Sequence, residues 1–290
     1  MRIHFTVSDL ARTRLASAPS PLAAAAFSDF RLRVSPGPPA LDLWRRAVRR
    51  NWTPERPGLF GALAVASPAQ PLPRFLRPTE GLPSLEEELA RLRATPPGEL
   101  RADLAYVAGR RAMPSWARYL AEGDREMLDR VAESVHSYHR VAVAPYWRAM
   151  SADIAVEQVR RARQLREGGV ERVLESLRPG LRRRPPVLEM AGSGAGEDYH
   201  LNGRALLLAP AAFCAYLPCD PAEEQPTLYY QAAAHPPPAA LAAAPVFRRA
   251  WSAGPGAPRF RTGADPRRTR GSRRRWGTVA PPCWRSSRTA

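Results

Sequence analysis

Glu133, His136 and His139 recur at intervals of three along a helical pattern, a spacing that turns carboxylate and imidazole donors toward one side of a helix. Donors so placed could hold a divalent cation. No Cys or carboxylate cluster stands nearby to complete a closed site, so they read as helix-surface residues and no metal is expected. Cys214 and Cys219 flank an aromatic, strand-like segment and read as core thiols rather than ligands or nucleophiles. Arg182, Arg183 and Arg184 read as a solvated loop. The densest basic cluster is Arg267, Arg268, Arg270, Arg273, Arg274 and Arg275, beside Trp276. Guanidiniums at that density suit phosphate contacts, and the tryptophan suits base stacking. No residue is expected to be catalytic, and no cofactor is expected.

Val187 to Gly196 (VLEMAGSGAG) superficially resembles the first motif of class I methyltransferases, a strand entering a Gly-rich loop that would hold S-adenosylmethionine. That loop must lead into a helix, with strands and helices alternating beyond it. Here another strand-like segment follows within a few residues, so a hairpin turn is the simpler reading. Ser193 lacks the flanking glycines of a nucleophile elbow, so a catalytic serine is not supported.

These residues need elements to position them. Arg2 to Val7 alternates as a strand does, and Ser8 or Asp9 suits a helix N-cap. Helices are predicted over 21–33 and 41–50, the second with Leu41, Trp44 and Val48 on one face. A proline-rich stretch over 52–83 reads as loop. Ser84-Leu85-Glu86-Glu87 then forms a capping box ahead of Leu85, Leu89 and Leu92. Thr95 to Glu99 interrupts before a helix running through Val107. A long helical region covers 114–177, with Leu128, Val131, Val135, Tyr138 and Ala142 at spacings of three and four. Pro145 kinks or splits it. Ile154, Val159 and Ala162 continue the apolar pattern, with Arg160, Arg161, Arg163 and Arg166 outside. Gly168-Gly169 ends that helix before a last short one at Val170 to Leu177. Beyond it the period changes to two, over 186–190, 199–201, 204–209, 213–217 and 227–230. The expected fold class is α+β: a mainly helical domain over 1–232, a small antiparallel sheet closing it, and a disordered basic tail over 233–290. Trp44, Trp52, Trp116, Tyr138, Tyr146 and Trp147 are chiefly core candidates, some of which could line an effector pocket.

Residues 241–290 carry 12 Arg and one acid, Asp265, and so hold +11 of the chain's net +17. They contain one Leu, no Ile and no apolar period, a composition that cannot offset its ordering entropy. The chain has no Lys and abundant Ala and Pro, as a GC-rich gene would encode. Back-translating Arg274 to Ala290 with GC-rich codons and moving the frame by two bases can yield ALGHRRAAVLAVLPHG, the start of an amphipathic basic helix. Two readings of the tail stand: a nucleic-acid-binding arm, or the product of a shifted frame. No apolar run approaches the roughly 20 residues that span a bilayer, and the N-terminus lacks a signal-peptide pattern. Three Cys are too few for a disulfide framework. A soluble, cytoplasmic protein without membrane partners is expected.

Several segments, taken in order, resemble a group of actinobacterial ArsR-like transcriptional regulators, in which an uncharacterised N-terminal domain precedes a winged helix. They are Arg2 to Arg14 (RIHFTVSDLARTR), Arg93 to Leu104 (RATPPGELRADL), Ala144 to Trp147 (APYW), Arg161 to Leu177 (RARQLREGGVERVLESL), Leu201 to Phe213 (LNGRALLLAPAAF) and Pro226 to Tyr230 (PTLYY). The resemblance covers roughly residues 1 to 232. It implies a cytoplasmic, dimeric regulator that binds operator DNA through a recognition helix in the winged domain. The family's winged helix opens with a segment like the one recovered by moving the frame, and in the frame given no recognition helix is written. The expected function is therefore an ArsR-like regulator without a complete DNA-binding domain. Two alternatives are a non-specific nucleic-acid binder acting through Arg267 to Arg275, and an S-adenosylmethionine-dependent methyltransferase.

Overall fold

The alternating apolar spacing of three and four that begins at Leu128 builds the helix around which this protein packs. In a computed structural model, the residues described are 1–33, 39–52, 59–64, 72–78, 80–109, 112–177, 181–190, 198–214, 216–217, 225–233, 236 and 240–241. Their helices are α1 (Val7–Arg12), α2 (Pro21–Arg33), α3 (Pro39–Asn51), α4 (Leu59–Ala64), α5 (Leu85–Arg93), α6 (Pro97–Ala108), α7 (Ala117–Ala121), α8 (Arg125–Ala142) and α9 (Ala144–Ser176), with a single 3-10 turn at Arg74–Leu76. The strands are β1 (Arg2–His4), β2 (Arg14–Leu15), β3 (Leu181–Arg184), β4 (Val187–Met190), β5 (Asp198–His200), β6 (Leu207–Ala212), β7 (Tyr216–Leu217) and β8 (Thr227–Ala233).

Helix α8 is capped by Asp124, whose carboxylate accepts from the Met127 N–H at 2.7 Å. Its Leu128, Val131, Val135, Tyr138 and Ala142 are all buried, meeting α2, α3, α4, α5, α7 and α9. Removing each large aliphatic side chain from water contributes about 1.5–3 kcal/mol. Pro145 sits in the first turn of α9, where its missing N–H costs nothing, so it separates the two helices at Val143 rather than kinking one. At the far end of α9 the helical path breaks at Gly168 and Gly169, and Gly169 takes φ 68°, ψ −175°. The short helix expected after these glycines is the continuation that buries Val173 and Leu174.

The N-terminal cap of α1 is Thr6, not Ser8 or Asp9. Asp9 is the third residue of the helix and returns a bond to the Thr6 N–H, while its other oxygen accepts from Gly203 at 2.8 Å. Ser84 caps α5 as expected, accepting from the Glu87 N–H at 3.2 Å. The proline-rich stretch supplies α4 and the 3-10 turn.

The fold is α+β, but its strands form two small mixed sheets and not one antiparallel sheet. The first runs β3-β4-β1-β5 and the second β2-β6-β8-β7. Pairs β1/β5, β2/β6 and β6/β8 are parallel, and β1/β4, β3/β4 and β7/β8 are antiparallel. The reason is that the N-terminal strands enter both sheets. A period of two identifies a strand without identifying its partner.

Strands β6 and β8 divide the interior. Leu207, Ala209, Ala211 and Tyr229 face the helical core around α8, whereas Leu208, Leu228 and Tyr230 face a second core with Ile3, Phe5, Val173, Leu174 and Leu188. All six residues of β6 are buried, as expected of a strand covered on both faces. Ala240 and Leu241 pack on the helical core. All of these residues lie in one compact unit, Met1–Ala253.

Candidate functional site

Two buried carboxylates organise a cleft among the described residues. Glu88, in the first turn of α5, is 1% exposed. Its Oε2 accepts from Ser20 Oγ at 2.9 Å and from the Leu22 N–H at 2.7 Å, and its Oε1 accepts from the Leu82 N–H at 3.0 Å. An α5 side chain thereby satisfies donors at the start of α2 and fixes the chain that leads into α5. Asp103, on α6, does the same for the 3-10 turn, accepting from the N–H groups of Arg74 at 2.5 Å and Phe75 at 3.3 Å. Burial pushes both carboxyls above their ordinary range, opposed for Glu88 chiefly by those hydrogen bonds and for Asp103 chiefly by the charges of Arg77 and Arg74.

Between these elements opens a cleft of about 680 Å³, within the size range of small-molecule sites, roughly 300–1,000 Å³. Leu22, Phe75, Pro78 and Leu92 give it an apolar floor. Its charged groups differ in what they have left to offer. Arg77 is buried, donates from Nε to the Leu72 carbonyl at 3.1 Å and lies 5.9 Å from the Tyr229 ring centroid. Arg74 donates from Nε to Asp103 at 3.4 Å, and its side chain remains 33% exposed. Arg91 donates one N–H to the Glu80 carbonyl at 3.1 Å and is 45% exposed. Glu99, one turn before Asp103 on α6, is exposed and accepts no hydrogen bond from the described residues. Outer guanidinium donors and one free carboxylate are therefore what the cleft presents to a solute.

The residues singled out in the sequence do not converge here. Glu133 and His136 line a separate 370 Å³ hollow with Glu86, Arg93 and Ser137. His139 turns inward, where burial first and the nearby His136 charge second press its pKa down to about 4. Among the described residues no group of three or more His, Cys, Asp or Glu is arranged to hold a metal ion. Cys214 is buried in the helical core, and burial raises its thiol to about 12. Trp44, Tyr138 and Tyr146 are core residues, with Trp52, Trp116 and Trp147 partly buried against them. Trp44 donates to the Ala142 carbonyl at 2.8 Å, and Tyr138 shares a 3.0 Å hydrogen bond with Ser28.

Two arginines expected in solvent are inside. Arg161 is 4% exposed, bonded to Glu157, Gln164 and Ser176 and lying 5.6 Å from the Tyr230 ring centroid. The side of α9 toward the protein carries Tyr146, Met150, Ile154 and Arg161, while Val159 is 72% exposed. The apolar stripe expected through Val159 and Ala162 is thus corrected. Arg183 lies in β3, not in a loop, with its side chain between Glu171 at 3.3 Å and the Phe5 ring. A long apolar stem that packs on neighbours while the guanidinium meets a carboxylate lets arginine occupy such positions.

The glycine-rich stretch Ala191 to Glu197, with Ser193, lies outside the described residues, but the strands on either side of it are well placed. Strand β4 lies on one side of β1 and β5 on the other, so this connection is not a hairpin. The chain leaves it as strand β5, where the methyltransferase motif requires a helix. Cys219, Cys283 and the basic cluster Arg267 to Arg275 also lie outside the described residues. None of the described helices is long and apolar enough to cross a membrane. Comparison of the chain with protein-family models, with curated proteins and with solved structures returned no match.

Proposed function

We propose that residues 1 to about 232 are the regulatory part of a cytoplasmic ArsR-like transcriptional regulator, with the cleft between α2, α5 and α6 as its effector site. Residues 233–290 are, in this reading, an out-of-frame remnant of a winged-helix region, and operator DNA is the partner of the in-frame protein. The observation that carries it is a coincidence of position. The family-like segment Arg93 to Leu104 supplies one wall of the 680 Å³ cleft through Thr95, Gly98, Glu99, Ala102 and Asp103. A second such segment, Pro226 to Tyr230, runs from beside the cleft residue Gln225 into β8. Regulators couple a ligand cleft to a DNA-binding element through differential affinity, and a cleft walled by charged, partly exposed side chains meets the first requirement.

The gene's nucleotide sequence tests this directly. An alternative frame downstream of the His235 codon should encode a helix-turn-helix opening with a segment like LGHRRAAVLAVL. If neither frame does, the reading fails. A chain repaired into that frame should bind duplex DNA sequence-specifically in a mobility-shift assay. The composition of residues 241–290 favours a second reading, direct phosphate binding by Arg267 to Arg275. That reading requires salt-sensitive binding by the 290-residue chain that deletion of 241–290 abolishes, and equal binding by both chains removes it.

A further inference from the structure

We propose that the cleft binds a small zwitterion with an apolar side chain, of the α-amino-acid type, its carboxylate on Arg91 and Arg74 and its ammonium on Glu99. The inference rests on reading the cleft as a ligand site and names the chemistry that it takes.

Most of the cleft's charges are already engaged within the protein. The cleft is lined by Arg74, Arg77, Arg91, Glu88, Glu99 and Asp103, whose formal charges cancel. Glu88 is already engaged, its two oxygens accepting from Ser20, Leu22 and Leu82 and its Oε1 lying 3.9 Å from Arg91 Nη2. Asp103 is likewise engaged by the backbone of the 3-10 turn and by Arg74 Nε. Arg77 is buried against Tyr229 and the Leu72 carbonyl.

What remains available is the outer donors of Arg74, those of Arg91 beyond its bond to Glu80, and the carboxylate of Glu99. Arg91 ends α5 and Glu99 begins α6, with Thr95 and Gly98 lining the cleft between them. Arg74 meets Asp103, one helical turn beyond Glu99 on the same face of α6. The free carboxylate therefore lines the same cleft as both guanidiniums.

Net charge then selects the ligand. An anion alone would unbalance a cleft whose six charges cancel and would leave Glu99 without a partner. A cation alone would leave the outer donors of Arg74 and Arg91 unused. A zwitterion engages all three and leaves the sum at zero. The half-buried Phe75 and Pro78 offer an apolar body something to cover, and about 680 Å³ accommodates a side chain of aromatic size.

Isothermal titration of the 290-residue chain with L-phenylalanine, 3-phenylpropanoate and 2-phenylethylamine separates these contributions. L-phenylalanine should bind about tenfold more tightly than either singly charged analogue, the worth of one charge-assisted hydrogen bond in a half-exposed site. Glu99→Gln should remove its advantage over 3-phenylpropanoate, and Arg91→Gln its advantage over 2-phenylethylamine. Both residues are exposed, so neither change disturbs the fold, and unchanged thermal melting checks that point. The proposal is overturned by no heat at about 10 mM L-phenylalanine, a concentration that would reveal even millimolar affinity. It is equally overturned by an analogue that binds as tightly, or by variants that leave the order of affinities intact. Zwitterion binding by a chain whose gene encodes no winged helix would leave this inference standing and remove the regulator reading. A repaired chain that binds DNA with an inert cleft would do the reverse.

Discussion

Replacing Glu88 by Ala tests whether the cleft is organised as described. The substitution leaves three donors without their acceptor: Ser20 Oγ, Leu22 N–H and Leu82 N–H. Leu82 is only half-buried and water can replace its partner, but Ser20 and Leu22 are buried at 7% and 1% exposure. A buried donor left unpaired costs about 1–3 kcal/mol. Relief of the carboxylate's own desolvation, the effect that raises its pKa, offsets part of this. The net expectation is a loss of about 3 kcal/mol, and for a domain of this size a fall in Tm of about 6–12 °C. Glu88→Gln retains one oxygen for the Ser20 and Leu22 pair and turns its amide toward Leu82, so it should lose about half as much. Urea unfolding followed by far-UV circular dichroism measures both. A Glu88→Ala protein within about 0.5 kcal/mol of wild type, the range of ordinary surface changes, would show that Glu88 does not hold α2 to α5.

Gly169→Ala should destabilise by about 1–3 kcal/mol, because φ 68°, ψ −175° is a conformation essentially reserved for glycine although the space around it is open. A Cβ at Gly168 would stand 2.5 Å from Arg172 Cδ and 2.9 Å from its Cβ, so Gly168→Ala should also destabilise in the same chemical-denaturation assay. Trp44→Phe removes the donor to the Ala142 carbonyl and should cost about 1–2 kcal/mol, read from the urea midpoint. The folded pKa of His139 lies below its unfolded value, so the native state binds fewer protons and stability declines as pH falls from about 6.5 to about 4. His139→Leu should flatten that decline by at most about 3 kcal/mol, and an unchanged pH slope in paired melts at pH 7 and 4.5 would refute the assignment.

Local features of this fold were legible in the sequence, and its long-range arrangement was not. The stripe from Leu128 to Ala142 specifies α8 because each of its positions meets a neighbour on one side. Ser84 and Pro145 act within a single turn, so their roles could be read from adjacent residues. Arg161 and Arg183 are not legible in the sequence because charge alone signals exposure, whereas each is held by partners 3 to 15 residues away in the chain. The cleft was invisible for the same reason. Glu88 is one of three consecutive glutamates, and only its meeting with Ser20, 68 residues away, distinguishes it from Glu86 and Glu87. Its other walls come from residues 74–78 and 91–103 and from Gln225, none of which forms a motif.

The placement of β1 and β2 sets the order in which this polypeptide matures on the ribosome. Arg2 pairs with Asp198, 196 residues downstream, and Arg14 beside Leu206 and Leu207 closes a loop of similar span. The first fifteen residues therefore emerge long before any strand that can receive them. The helices around α8 can gather in the meantime, but the first sheet is incomplete until β5 has been synthesised and the second until β8. Pairings of such separation make for slow, late-committing assembly. Every strand of both sheets is also encoded upstream of His235. A change of reading frame beyond that codon would thus reach the ribosome after the last strand of the fold, and both sheets would be encoded alike whichever frame followed.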